Sequence, residues 1–515
     1  MKSWNSGYLS EIDYTYGYYR EISPVFLSLA LLHRGVKQNA TRPPRYLELG
    51  FGQGLSVNIH AAACPGEFWG TDFNPAQATN AKELAIASGS DAKVFDASFA
   101  ELAARADLPE FDIITLHGIW SWISEENRAA IMDLARRKLA VGGIFYVSYN
   151  CTPGWSSTMP LRHLMTLHAE FAGFDDQGIT GKVDGAVSFA KRVVDSGAAY
   201  FKANPGVADR LSNISKQNRR YVAHEYFNGH WTPLPFSQVA GKLADAKLDF
   251  ATSSNLLEHM DSVNLTKEGQ TLLAGIAHPI FRESVRDYVL NQQFRRDIYV
   301  RGRRQMTAFE QLEQYKLQRF VLLKAADKIA LKANGPAGEI TMQEEVYKPL
   351  IEILASRNYE PKSVAEIVAH PSWKSRSLTT AIEVLIVLTA TGQANPTQSE
   401  EVINQARPKC AALNAHICQR ALFEGEIGYL ASPVIGGGVT VDRLEQLFLL
   451  AREAGHSNAK AWASCAWDAL DSQGHKILRD GKPLAKAEEN MAELRERAKA
   501  FEADRLPILS ALGIS

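Results

Sequence analysis

The chain has 515 residues, too many for one ordinary domain at roughly 150 residues each, so three domains are expected. Its 56 Lys and Arg against 57 Asp and Glu leave a formal charge of −1, which excludes a strongly basic nucleic-acid coat and a long acidic tail. Hydrophobic residues at 46% and charged residues at 22% are a globular mixture, and a fibrous or disordered chain is excluded.

The amino-terminal stretch has no basic patch followed by an apolar run, so no secretory leader is expected. The best apolar run, residues 382–388, is interrupted by Glu383 and is far short of the ~20 residues of a spanning helix. No membrane insertion is expected. The five cysteines are scattered and form no CxxC pair, which argues against a zinc site or a disulfide scaffold. A soluble, cytoplasmic protein without a metal centre is expected.

In chain order, Arg45–Leu49 reads as a first strand followed by a glycine loop, and Ser56–Cys64 as a helix ended by Pro65-Gly66. Glu67–Asp72 is a second strand, Pro75–Ser88 a second helix, Ala92–Phe95 a third strand and Phe111–Leu116 a fourth. Asn127–Leu139 reads as a helix stopping at Gly142-Gly143, and Ile144–Ser148 as a fifth strand. Strands separated by helices of this length predict βαβ units, hence an α/β fold with a Rossmann-like, mostly parallel sheet. Beyond Pro153-Gly154 helices are expected at Thr158–Phe171, Ala186–Phe201, Phe281–Phe294 and Gln311–Ala333, while 219–261 gives no clear pattern. Residues 334–338 are a breaker cluster. After them Val364–Ala369 and Leu378–Thr389 suit either a winged-helix part or a small helical bundle. Tyr429–Val441 reads as strand, loop, strand, and helices at 441–454 and 484–500 close the chain. The expected division is a catalytic core with an amino-terminal lid over 1–170, a mainly helical middle domain over 171–310 and an α+β carboxy-terminal domain over 311–515.

The sharpest local signal is Glu48-Leu-Gly50-Phe-Gly52-Gln-Gly54, between a strand and a helix, where a nucleotide is expected. A dinucleotide fingerprint is GxGxxG, but its third glycine position here is Leu55. The pattern looks like that of S-adenosylmethionine-dependent methyltransferases of the Rossmann-like class, whose loop must fit a nucleoside and admit a sulfonium cation. Asp72, at the end of the second strand, can accept ribose hydroxyls. Phe73 can lie against adenine, and Asp96-Ala97 after the third strand can meet its amino group. The fourth and fifth strands lead into His117-Gly-Ile-Trp120-Ser-Trp122 and Tyr149-Asn150-Cys-Thr-Pro-Gly-Trp155. His117, Tyr149 and Asn150 are catalytic candidates, His117 also touching the cofactor. Trp120 and Trp155 either pack or hold the acceptor. The first 20 residues carry Tyr8, Tyr14, Tyr16, Tyr18 and Tyr19. They suit a lid, with Tyr16 on the cofactor and Tyr14 and Tyr18 on the acceptor, or a segment packed on the sheet edge.

Other motifs fail. Gly181-Lys182 lacks the P-loop glycine at 176 and the following Ser/Thr; His224-Glu225 lacks a histidine at 228; no GxSxG is present. The Asn/Asp-Pro-Pro-aromatic motif of DNA adenine methylation is absent after the fourth strand, which with the balanced charge argues against a nucleic-acid acceptor.

Residues 48–54, 117–122 and 146–155 resemble bacterial methyltransferases with a methyltransferase regulatory domain, and residues 221–226, 231–233 and 294–302 resemble that domain itself. The chain also resembles protein-lysine methyltransferases acting on bacterial outer-membrane proteins. Residues 430–438 and 473–482 fit their third part. The resemblance implies S-adenosylmethionine as cofactor with S-adenosylhomocysteine as product, a protein substrate such as an outer-membrane or secreted protein, and a homodimer. Phe51 stands where many relatives have a small residue. Methylation of a small molecule or glycan precursor, or a docking protein that only senses the cofactor, are the alternatives at this point; the intact set of Glu48, Gly50, Gly52, Gly54 and Asp72 argues against the second.

Overall fold

The structure, a computed structural model, describes residues 14–38, 42–173, 178–335 and 338–515. Its centre is a seven-stranded sheet in the order β3-β2-β1-β4-β5-β7-β6. The strands are β1 (Arg45–Leu49), β2 (Glu67–Thr71), β3 (Lys93–Phe95), β4 (Phe111–Leu116), β5 (Leu139–Asn150), β6 (Leu248–Ser253) and β7 (Phe294–Arg301). The first five run parallel, while β7 is antiparallel to both β5 and β6.

Helices alternate with the strands, after α1 (Pro24–His33), which precedes β1. α2 (Leu55–Ala63) starts at Gly54, whose φ of 74° takes the left-handed conformation that glycine adopts without cost. α3 (Pro75–Ser88) begins with the Asn74 side chain accepting from Ala76 N and ends at left-handed Gly89. α4 (Phe99–Ala104) carries a capping box of Ser98 and Glu101. α5 (Glu125–Lys138) has two acids in its first turn and three bases in its last, the arrangement that suits the helix dipole.

Between β5 and β6 the chain inserts five helices: α6 (Met159–Phe171), α7 (Gly178–Asp195), α8 (Ala199–Ala203), α9 (Pro205–Ile214) and α10 (Arg219–Tyr226). They share a core of Leu161, Met165, Val183, Val187, Leu211 and Val222 beneath Trp155. α11 (Phe236–Ala244) then returns to the sheet and buries Phe236, Val239 and Leu243 against it. The expected break at residue 170 is therefore corrected. β6 and β7 complete the catalytic sheet from inside 171–310, and the helices of that stretch stand over the same sheet end.

β7 holds its place through buried charge as well as apolar contact. Arg295 reaches Asp287 at 2.5 Å and Asp297 at 3.0 Å, and Tyr149 on β5 donates to Asp297 at 2.7 Å. All four are buried, so each group supplies the hydrogen bonds the others need.

Beyond residue 310, Arg319–Leu322 pairs with Lys362–Ser363 and Ala394–Pro396 in a three-stranded sheet flanked by the helices Glu344–Tyr359, Val364–Ala369 and Leu378–Ala390. The helix Glu400–Arg420 packs on α2 and α3, and the hairpin Tyr429–Ser432 with Gly437–Thr440 packs on α2. Among the described residues no helix is long and apolar enough to cross a membrane.

Candidate active site

A cavity of about 480 Å³ opens where the carboxyl ends of β1 and β4 diverge, the point at which sheets of this kind bind ligands. Glu48, Gly50, Phe51, Gly52, Asp72 and Phe73 line one part of it. Gly50, Gly52 and Gly54 all have positive φ, of 71°, 57° and 74°. A Cβ on Gly50 would lie 2.7 Å from the Ile119 side chain, another lining residue. Gly54 does not line the cavity. A Cβ there would sit 2.3 Å from the Ala81 Cβ, so this glycine lets α2 and α3 approach.

Asp72 ties the loop together. Its carboxylate accepts from Gly52 N at 2.9 Å and from Asn74 N at 3.0 Å. Burial pushes its pKa up to about 6, against the pull of those two backbone donors. Each oxygen keeps lone-pair capacity for a further donor, so the carboxylate can accept ribose hydroxyls. Glu48 is 4% exposed. Burial pushes its pKa up to about 8, against the Tyr46 hydroxyl that donates to it. A cation arriving in the cavity would draw it back to the charged form. A carboxylate for two hydroxyls, an aromatic face at Phe73 and a second buried carboxylate for positive charge fit a nucleoside bearing a sulfonium.

Other lining residues come from elsewhere in the chain. His117, Asn150, Trp155, Tyr14 and Ala97 are among them. His117 stacks on Tyr19, with ring centroids 3.9 Å apart, and its Nδ1 bonds the Tyr146 hydroxyl at 2.8 Å. Burial, with help from the charge on Arg296, holds its pKa down to about 3. The ring is neutral at physiological pH and too weak a base to take a proton from an amine. His117 is thus a wall of the site rather than its base.

Five other expectations are corrected. Tyr149 points away from the cavity into the Asp297 network. Tyr146, Ser148 and Asn150 are the residues of β5 that face the site, through His117, the Gly118 N–H and the cavity itself. Alternation along a strand then sends Tyr149 to the opposite face. Tyr16 turns to α3, donating to Asn80 and accepting from Arg420. Tyr18 is buried against Gly437 and Gly438 of the carboxy-terminal hairpin. Trp120 is wholly buried in the sheet core. The Asp96 carboxylate is 54% exposed and 4.0 Å from Lys82, while its neighbours Ala97, Ser98 and Phe99 face the cavity. Tyr8 lies outside the described residues.

Sequence reasoning missed one wall entirely. Tyr221, His224 and Glu225 of α10, with Arg210 of α9 and Phe294 and Arg296 of β7, line the same cavity. The signal was present in Tyr221-Val-Ala-His224-Glu225: spacings of three and four place these side chains on one helical face.

A Rossmann-like sheet with this loop, this acid after β2 and this cavity defines a methyltransferase. A family profile for the methyltransferase domain matches residues 47–143, and one described as a predicted methyltransferase regulatory domain matches residues 218–301. An uncharacterized protein of Synechocystis is 40% identical over 516 residues, covering all of both chains. An uncharacterized protein of Rickettsia prowazekii is 27% identical over 248 residues, which is 47% of this chain and 96% of that one. The solved structure of PKMT2 from Rickettsia typhi in complex with AdoHcy superimposes with a TM-score of 0.70 at 17% identity, covering 97% of this chain and 100% of that one. The chain belongs to the class I S-adenosylmethionine-dependent methyltransferases that carry a methyltransferase regulatory domain.

Proposed function

We propose that this enzyme methylates the ε-amino groups of lysines in a protein substrate. The observation that carries the reading is the lining of this cavity. From the glycine loop it continues between Tyr19, Trp122, Trp155, Tyr221 and Phe294, an aromatic wall that suits a long aliphatic side chain ending in positive charge. The full-length likeness to PKMT2 and the resemblance to outer-membrane-protein lysine methyltransferases support it.

The cofactor supplies an electrophilic methyl group when bound. Asp72 and Phe73 would hold the nucleoside, and Glu48 would face its positive charge. The remaining requirement is alignment, and holding two reactants in line contributes ~7–11 kcal/mol in favourable cases. The substrate is an extended segment of a secreted or outer-membrane protein, presented to a cytoplasmic homodimer, with residues 311–515 helping to grip it.

The test is incubation of the enzyme and methyl-labelled S-adenosylmethionine with lysate from a strain lacking the protein. Mass spectrometry is expected to find label on lysine ε-nitrogens of one or a few proteins. Label confined to small molecules would contradict the reading.

A further inference from the structure

We propose that the regulatory domain is a working half of the active site, and that Glu225 on α10 binds the acceptor ammonium and receives its proton. This rests on the lysine-methylating reading above.

Glu225 lines the cavity that Glu48 and Asp72 also line, so donor and acceptor groups share one cavity. Tyr221 stands one helical turn before it and lines the cavity too. The two arginines whose charge reaches Glu225, Arg210 and Arg162, make their hydrogen bonds elsewhere. Arg210 lies 3.9 Å over the Trp155 ring, donates to the Tyr226 hydroxyl and bonds Gln293. Arg162 lies over the Trp231 ring and donates to the Asn228 carbonyl. A half-buried carboxylate among Trp155, Tyr221 and Phe294, with its neighbouring cations turned to other partners, is suited to a cation from outside the fold.

The groups around it set its titration. Burial raises its pKa, and Arg210, the Asn150 amide of β5 and Arg162 of α6 draw it down, leaving it at about 7. On α10 itself Tyr221, His224 and Tyr226 are its titratable neighbours, and Arg219 is paired with Asp184 of α7. Tyr14 of the amino-terminal segment packs edge-on against His224. Arg296 of β7 lies 3.8 Å from Glu21. A base with a pKa near the working pH is the most effective one, and His117, held near 3, is no competitor.

The step balances. The acceptor ammonium gives one proton to the Glu225 carboxylate. The freed nitrogen lone pair forms the N–C bond to the methyl carbon as the C–S bond breaks, and that electron pair stays on sulfur. The products are a methylated ammonium and a neutral thioether, and the proton on Glu225 passes to solvent.

Butylamine, which copies the end of a lysine side chain, is the binding probe, titrated calorimetrically into the AdoHcy-loaded enzyme. Wild type is expected to bind it, more tightly as pH rises through about 7 and the carboxylate ionises. Glu225→Gln is expected to weaken that binding by about tenfold or more, the loss of a charged hydrogen bond, with AdoHcy affinity within about twofold of wild type. Methyl transfer to poly-L-lysine is expected to rise through about pH 7 in wild type and to lose that limb in Glu225→Gln. Glu225→Asp, which keeps the charge, is expected to recover part of the rate. Unchanged butylamine affinity in Glu225→Gln would overturn the role of Glu225 while leaving lysine methylation standing. Wild type that binds no butylamine would overturn the site itself, and the lysate labelling then decides the lysine reading separately.

Discussion

Asp72→Ala is expected to weaken S-adenosylmethionine binding by at least ~100-fold, because the two hydrogen bonds we propose from ribose hydroxyls to this carboxylate would be lost at ~1.5–3 kcal/mol each. The same side chain accepts from Gly52 N and Asn74 N. Its removal therefore also strands two backbone donors and slackens the loop at the moment the ligand needs it formed. Asp72→Asn keeps one acceptor oxygen and is expected to fall between the two. Isothermal calorimetry measures all three, and an affinity in Asp72→Ala equal to wild type would remove the ribose assignment.

Gly54→Ala is expected to be among the most destabilising single-methyl changes in the chain. The new Cβ would lie 2.3 Å from the Ala81 Cβ and 3.0 Å from its Cα, and backbone cannot be rotated out of the way. Left-handed backbone costs a non-glycine residue ~1–2 kcal/mol, and overpacking at a helix contact adds ~1–3 kcal/mol. Gly89→Ala is the control: φ is 62° there too, but nothing lies within 4 Å of the added methyl. Urea unfolding is expected to show Gly89→Ala losing the backbone term alone and Gly54→Ala losing about 2–5 kcal/mol. Equal losses in the two variants would mean that the approach of α2 to α3 has no energetic weight.

The first four strands were legible because each is a short apolar run bounded by Gly, Pro or a polar turn. β7 was not. Its sequence, Phe-Arg-Arg-Asp-Ile-Tyr-Val-Arg, carries Arg295 and Asp297 into the interior, where they pair with Asp287, a partner no local pattern announces. A helix expected over 311–333 ends at Leu317 and gives way to a strand at Arg319–Leu322, because apolar spacing alone does not separate a short buried strand from helix. The helix expected over 186–201 breaks at Gly197, whose φ is 75°, into α7 and α8.

The site divides the same way. Glu48, Gly50 and Gly52 belong to the end of β1 and its loop, Asp72 and Phe73 follow β2 directly, and the pairing of Leu49 with Thr71 brings the two strand ends together. Asn150 and Tyr149 are adjacent in sequence but face opposite sides of β5, so choosing between them needed strand parity, which His117 bonding Tyr146 reveals. Glu225 lies 75 positions beyond Asn150 in the numbering, and only the return of α10 over the sheet end brings it to the cavity. The name given to its domain suggests control, whereas Tyr221, His224, Glu225, Phe294 and Arg296 from that domain line the cavity.

The direction in which the reactive end of the cofactor points is the most direct test of a two-part active site. A crystal structure with AdoHcy is expected to place the ribose hydroxyls within hydrogen-bond distance of the Asp72 carboxylate and the sulfur facing Asn150, Tyr221 and Glu225. A sulfur turned away from α10, with Glu225 walled off from it, would contradict a regulatory domain that completes the active site.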